Sequence, residues 1–240
     1  MSHVSANGYV FDLALSPHNA QTRIVDAAHG IVRCDPPRKK VVITAFGPSA
    51  NALPAYHENP EWEIWGLNDA YNFRWLRHQD ATHALRVDRW FEIHQMHAQP
   101  ERDLAWLSIC PVPVYLAALD ARVPNGVRYP IEAVEAFLKM PVPFWACSFS
   151  YEIALALYEG FEEIALVGFD FATPREWMFE RGNVLFYAGL ATGMGRTLIV
   201  PPHSTFLQHP YRYGLDYTAE KEWCEQRLET IVGWWNGRTD

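Results

Sequence analysis

The sequence predicts a three-layer α/β sandwich with a mainly parallel sheet, an N-terminal arm or hairpin and a C-terminal helix. Three observations carry this. From Val41 to Val200, short apolar runs alternate with amphipathic ones, as a parallel sheet covered by helices on both faces requires. The first run, Val41-Val42-Ile43-Thr44-Ala45, is β-branched and apolar on both alternating faces, which suits a central strand. The stretch Trp145 to Phe171 reads as a serine-bearing turn, an amphipathic helix from Tyr151 to Glu159, a stop at Gly160 and a buried strand Ile164 to Val167 ending in Gly168-Phe169-Asp170. That ending sets a carboxylate at the carboxyl edge of a central strand, where open α/β sheets bind their ligands.

A chain of 240 residues buries a full core as one domain with embellishments. The expected divisions are an arm or hairpin with its linker over 1–40, the α/β domain over 41–215, and a helix over 216–240 that packs on the domain or on a partner. Lys+Arg of 20 against Asp+Glu of 28 gives a net charge of -8, the wrong sign for general attraction to a phosphate backbone. Nucleic acid is therefore disfavoured as a partner, although a local basic patch is compatible with an acidic whole. Cys34, Cys110, Cys147 and Cys224 lie far apart without Cys-x-x-Cys spacing, which argues against structural zinc and a disulfide framework and for reduced thiols in a cytosol. There is no leader-like N-terminus and no apolar run of membrane-spanning length, so the expected location is cytoplasmic.

Tyr9 to Leu15 and Arg23 to Cys34 alternate enough for a hairpin or an arm, and Asp35 to Lys40 reads as a linker. Such an arm packs on its own domain or on a second copy of the chain. After the Val41 strand comes Phe46-Gly47-Pro48-Ser49-Ala50-Asn51, a tight turn whose glycine allows close approach of a ligand and whose Ser49 is placed to cap a helix. Free backbone N–H groups at such a turn attract anions, but it holds neither a dinucleotide fingerprint nor a P-loop. Glu63 to Asn68 is the second strand. Asn68 offers both an amide donor and a carbonyl acceptor, or caps the next helix, and Tyr71 offers a stacking ring.

Arg89 to His94 is the third strand, followed by His97 and a polar loop. Glu92, His94 and His97 lack a third ligand at a recognised metal spacing, so His94 is read as a strand-end hydrogen-bonding group and no metal is expected. Val112 to Ala117 is the fourth strand, the loop Val123 to Tyr129 borders the site, and Pro130 to Leu138 is helical. Ala172 to Trp177 is a flap and Phe179 to Gly193 a helix. Thr197 to Val200 is the last strand, with His203 in the loop at its carboxyl edge. Thr218 to Trp235 is amphipathic, with Trp223, Cys224, Leu228, Ile231, Val232 and Trp235 in one stripe.

Four pieces occur in order: Phe46-Gly47-Pro48-Ser49, Gly66-Leu67-Asn68-Asp69-Ala70-Tyr71, Cys147-Ser148-Phe149-Ser150 with its helix, and Val167-Gly168-Phe169-Asp170-Phe171. Together they resemble the nucleotide-binding half of bacterial lipooligosaccharide sialyltransferases and of the related hydroxymethylpterin pyrophosphokinase-like proteins, which have many relatives in phage and prophage genomes. The likeness covers Val41 to Leu207. It implies a Rossmann-like sheet that holds a nucleotide or nucleotide-sugar, with no further cofactor and no metal. Gly47, Pro48 and Ser49 would meet the phosphates, Asn68 the ribose or phosphate region, Ser148 and Ser150 the base or ribose, and Gly168 and Asp170 the ribose edge. The sialyltransferases carry a catalytic histidine in the lid before the last helix, and Phe171 to Asn183 contains none. The base then comes from His94, His203 or Glu180. Phe46 also stands where those enzymes have an asparagine before the glycine.

The activity expected is transfer of a sugar from a nucleotide-sugar to an acceptor hydroxyl, with a modified DNA base as an outlying acceptor. The pterin branch implies instead a pyrophosphokinase, which needs Mg²⁺ and convergence of carboxylates such as Asp170 and Glu92. A non-catalytic nucleotide-binding or sequestering protein is the third reading.

Overall fold

The computed structural model describes residues 3–80, 82–140, 142–171, 173–207, 212 and 215–236. Two antiparallel hairpins come first, β1 (His3–Ala6) with β2 (Tyr9–Asp12) and β3 (Gln21–Asp26) with β4 (Ile31–Asp35). The sheet follows with β5 (Lys40–Thr44), β6 (Trp62–Leu67) and β7 (Arg89–Glu92), then α1 (Glu101–Ile109), β8 (Val114–Leu116) and β9 (Gly126–Arg128). The chain continues through α2 (Ile131–Leu138), α3 (Ser148–Glu159), β10 (Glu163–Val167), α4 (Arg181–Gly193), β11 (Thr197–Ile199) and α5 (Tyr217–Asn236).

All pairings in the seven-stranded sheet are parallel, in the order β11-β10-β5-β6-β7-β8-β9. The fold is thus the expected α/β Rossmann-like sandwich. From β5 the chain winds outward through β6 to β9, then returns to lay β10 against the other side of β5. The winding direction reverses between β5 and β10, and a crevice opens at their carboxyl ends.

Pleating sends Val41 and Ile43 of β5, with Ile164 and Leu166 of β10, into the core under α3 and α4. Val42, Ala165 and Val167 go to the opposite core, which α1, β2 and the 3-10 segment Pro48–Tyr56 cover. α3 ends as its sequence requires, with Gly160 at φ +80°, where other residues are strained. Asn183 and Tyr187 of α4 fasten the segment before α3. Asn183 Oδ1 accepts from the Ala146 N–H at 3.0 Å, Asn183 Nδ2 donates to the Phe144 carbonyl at 2.9 Å, and the Tyr187 hydroxyl donates to that same carbonyl at 2.9 Å.

Several expectations are corrected. The loop expected over Val123 to Tyr129 contains β9, an edge strand of three residues that is too short to show a period. The polar loop after His97 contains α1, whose buried residues Ala105, Trp106 and Leu107 are adjacent rather than spaced at helical intervals. The arm is two hairpins. Ser49 does not cap the segment Pro48–Tyr56, which makes no side-chain capping bond. In α5 the Trp223 ring lies 6.0 Å from Trp177, and Leu228 and Val232 are exposed. The side chains of Ile231 and Trp235, and the flap residue Ala172, lie outside the described residues.

Candidate functional site

A cleft of about 410 Å³ opens at the switch point. It is lined by Ala45 to Pro48 after β5, Leu67 at the end of β6 with Asn68 after it, and His94 after β7. The N-terminus of α3, the residues Gly168 to Phe171, and the lid residues Thr173, Arg175, Glu176 and Glu180 complete it. The two central strands stay paired beyond their ends: the Ala45 N–H donates to Val167 O at 2.7 Å and the Gly47 N–H to Gly168 O at 2.8 Å. Both glycines are required by this approach. A Cβ on Gly47 would fall on the Asp170 carboxylate. Gly168 has φ +87°, and a Cβ there would lie 2.6 Å from the Ala45 carbonyl carbon.

Asp170 reaches the predicted edge, and its carboxylate binds protein. Oδ2 accepts the Ser49 N–H at 2.7 Å and Oδ1 the Thr205 N–H at 3.3 Å, while Ser49 Oγ accepts the Gly168 N–H at 3.0 Å. Asp170 is 5% exposed and Ser49 fully buried, so the pair clasps two loops and forms a wall of the cleft. Asn68 differs. Its backbone is left-handed at φ +47°, held by its N–H on Phe91 O at 3.0 Å, and its buried Oδ1 has no partner among the described residues. Asparagine adopts this left-handed backbone more readily than most residues, and Asn68 lines the cleft with that acceptor unpaired among the described residues.

His94 enters from β7. Its ring Nδ1 lies 2.7 Å from Glu92 Oε1, which also accepts the His94 backbone N–H at 3.2 Å and Gln99 Nε2 at 3.1 Å. Glu92 is 1% exposed. A carboxylate on Nδ1 places that ring proton and leaves Nε2 as the open nitrogen. The hydrogen bond to Glu92 raises the His94 pKa above its ordinary value against the opposing effect of burial, with the charges of Glu92 and Glu180 assisting. On the lid, burial and then the neighbouring Glu176 raise the Glu180 carboxyl, and Arg175 and His94 oppose this. Burial pushes the Cys147 thiol up to about 11, which keeps it protonated and unreactive at neutral pH.

The cleft thus gathers Gly47, Pro48, Asn68, His94, Ser148, Gly168, Asp170 and Glu180. Four predicted residues lie elsewhere. The Tyr71 hydroxyl bonds Asp103 of α1 and its ring stacks on Trp106 at 5.1 Å, because the turn after Asn68 directs it into the core. Ser150 is fully buried, and its hydroxyl donates to Cys147 O at 2.6 Å. Ser49 belongs to the clasp. His203 is exposed, with Nε2 2.8 Å from Asn51 Oδ1, outside the cleft. Arg175 was not singled out, since a lone arginine in a Pro-containing connection has no pattern. Glu92 was considered only as a metal ligand. Among the described residues no three His, Cys, Asp or Glu side chains form a group able to hold a metal ion, and no helix is long and apolar enough to cross a membrane.

The fold and cleft define a doubly wound α/β protein with a cleft at its topological switch. Among solved structures the chain is similar to sialyltransferases of Campylobacter jejuni. With CstII in complex with cytidine-5'-monophosphate it shares 16% identity over 69% of this chain and 81% of that one, TM-score 0.44. With an α-2,3-sialyltransferase in apo form the values are 12%, 79%, 95% and 0.42, and with the monofunctional α-2,3-sialyltransferase Cst-I they are 12%, 73%, 83% and 0.44. No protein-family model matches the chain, and no curated protein matches it. The resemblance expected from the four ordered motifs is therefore found among structures, at an identity that concerns fold.

Proposed function

We propose that this chain is a glycosyltransferase-like enzyme that holds a nucleotide-sugar in the switch-point cleft and transfers the sugar to an acceptor hydroxyl. The observation that carries the reading is the Glu92–His94 dyad at the cleft, with Nδ1 on a buried carboxylate and Nε2 open. In the step proposed, the acceptor oxygen forms a bond to the anomeric carbon and its proton passes to His94 Nε2. The bond from that carbon to the phosphate oxygen breaks, and the nucleotide leaves with the bonding pair. His94 thus takes the role expected of a lid histidine, from a strand end instead. Asn68, the backbone N–H groups at the start of α3 and Arg175 are the groups available to the nucleotide.

The pyrophosphokinase reading needs Asp170 and Glu92 to converge. Each is instead bonded to its own protein partners, Ser49 and Thr205 for one, His94 and Gln99 for the other. The test is a thermal-shift screen with CMP, UMP, GMP, AMP and their sugar conjugates, with and without chelator, followed by turnover assays on His94→Ala. Stabilisation by one nucleotide class and loss of turnover in the variant are expected. No shift with any nucleotide would remove the proposal, and binding with no turnover of any conjugate would leave a nucleotide-binding protein.

A further inference from the structure

A second cleft of about 330 Å³ lies beside the first, over the carboxyl ends of β7 and β8, and His94 is the residue that lines both. Its size suits a small organic molecule. One side is apolar, from Met96, Leu116, Ala117 and Leu119, and the rest is polar, from His94, Gln95, His97, Asp120 and Arg122. Asp120 and Arg122 form a ready-made fork. Arg122 Nε donates to Asp120 Oδ1 at 2.9 Å, Nη2 to Oδ2 at 2.7 Å, and the Arg122 backbone N–H to Oδ1 at 2.9 Å. The hydrogen bonds from Arg122 hold the Asp120 carboxyl down to about 2, so the fork stays ionised and carries no net charge through neutral pH. Nη1 of Arg122 and lone pairs on Asp120 remain for a ligand.

This combination discriminates. A phosphate would meet the Asp120 carboxylate, and a purely apolar molecule would strip water from Arg122 Nη1 and the remaining Asp120 lone pairs without replacing its hydrogen bonds. A neutral molecule with adjacent hydroxyls and C–H faces satisfies both halves, donating to Asp120, accepting from Arg122 and packing on Leu116 and Leu119. We infer that this second cleft is the acceptor subsite and takes a neutral, hydroxyl-rich compound such as the end of a glycan, with the reacting hydroxyl at His94. The inference rests on the transferase reading, because it makes the shared residue the base between donor and acceptor. The acceptor is then confined to the β7–β8 side, in a cleft that Arg175 and Glu180 do not line.

The test is an amide and imidazole NMR titration of the full chain with CMP as the donor-cleft probe and methyl β-galactoside and methyl β-glucoside, at millimolar concentration, as neutral glycoside probes. It is run on the wild type, Leu119→Trp and Arg122→Ala. Leu119 is 50% exposed and Arg122 side chain 52%, so both variants are expected to keep the wild-type unfolding midpoint. The expected result is that a glycoside shifts the amides of 116–122 and the His94 ring whether or not CMP is bound. Leu119→Trp should abolish those shifts with CMP affinity unchanged, and Arg122→Ala should weaken glycoside binding about tenfold. Glycosides that move only the CMP cleft, that move nothing while CMP binds, or that bind Leu119→Trp as well as wild type overturn the subsite alone. Glycoside binding at 116–122, with none of CMP, UMP, GMP, AMP or their sugar conjugates binding in the thermal-shift screen, overturns the donor reading and leaves the subsite as a glycan site.

Discussion

At the amino edge of the sheet Arg89 is 2% exposed, and every polar group around it has a partner. Its guanidinium donates to Glu63 at 2.8 and 3.3 Å, to Glu159 at 2.7 Å and to the Tyr115 hydroxyl at 3.2 Å, and it lies 5.0 Å from the Trp65 ring centroid. At the carboxyl edge, five residues along the same chain segment, His94 has one ring nitrogen bonded and one open. The Arg175 and Glu180 side chains make no hydrogen bond or ion pair among the described residues, and both line the cleft. The same residue types therefore serve opposite ends. The buried charges are mutually satisfied and tie β6, β7 and α3 together, whereas at the cleft the His94 side chain is 58% exposed and its second ring nitrogen is open. A perturbed or buried ionisable group is not by itself a sign of function; an unsatisfied one beside a cleft is the better sign.

Four experiments break or sharpen this contrast. Arg89→Met leaves the buried Glu63 and the partly buried Glu159 without their cation and should cost about 3–5 kcal/mol in urea unfolding, with the nucleotide affinity of the remaining folded protein unchanged. His94→Ala should do the reverse, lowering kcat about 100- to 10,000-fold at an unaltered unfolding midpoint. Asp170→Ala lies between the two edges in character, since its carboxylate faces the cleft yet binds backbone. We expect a loss of about 1–3 kcal/mol in stability together with weaker nucleotide binding, and a binding loss without destabilisation would make Asp170 a ligand contact instead.

The smallest effect is a pH shift. Because the Glu92 hydrogen bond raises the His94 pKa above its ordinary 6.5, the base form accumulates only above that raised value, and kcat/KM should rise with pH through it. Glu92→Gln removes the anionic acceptor, lowers the His94 pKa and should move this limb to lower pH. A limb that stays in place in Glu92→Gln would show that another group titrates in the rate-limiting step.

How much of this was legible in the sequence varied with the kind of signal. β5 and the run from α3 through Gly160 to β10 were readable because burial on both faces leaves a continuous apolar strand and a left-handed helix end selects glycine. α1 and β9 were not, since their buried residues are adjacent or too few to make a period. Among the site residues, Asn68 and Tyr71 looked equivalent at the end of one strand, but one backbone turn aims the first at the cleft and the second into the core. Periodicity reports which positions are buried and says little about where a side chain points after the strand has ended.

By itself, then, the sequence determined the alternation of strands and helices, the glycines on which the two central strands meet, and the strand ends at which polar residues fall. Those properties are local, set by backbone sterics and by which face of each element is apolar. Only the tertiary structure decided that β10 returns to the far side of β5, which opens the cleft, and that the strand end bearing His94 comes to border that same cleft. Both depend on the order in which strands pair, and a parallel sheet with covered faces admits many orders for the same pattern of buried residues.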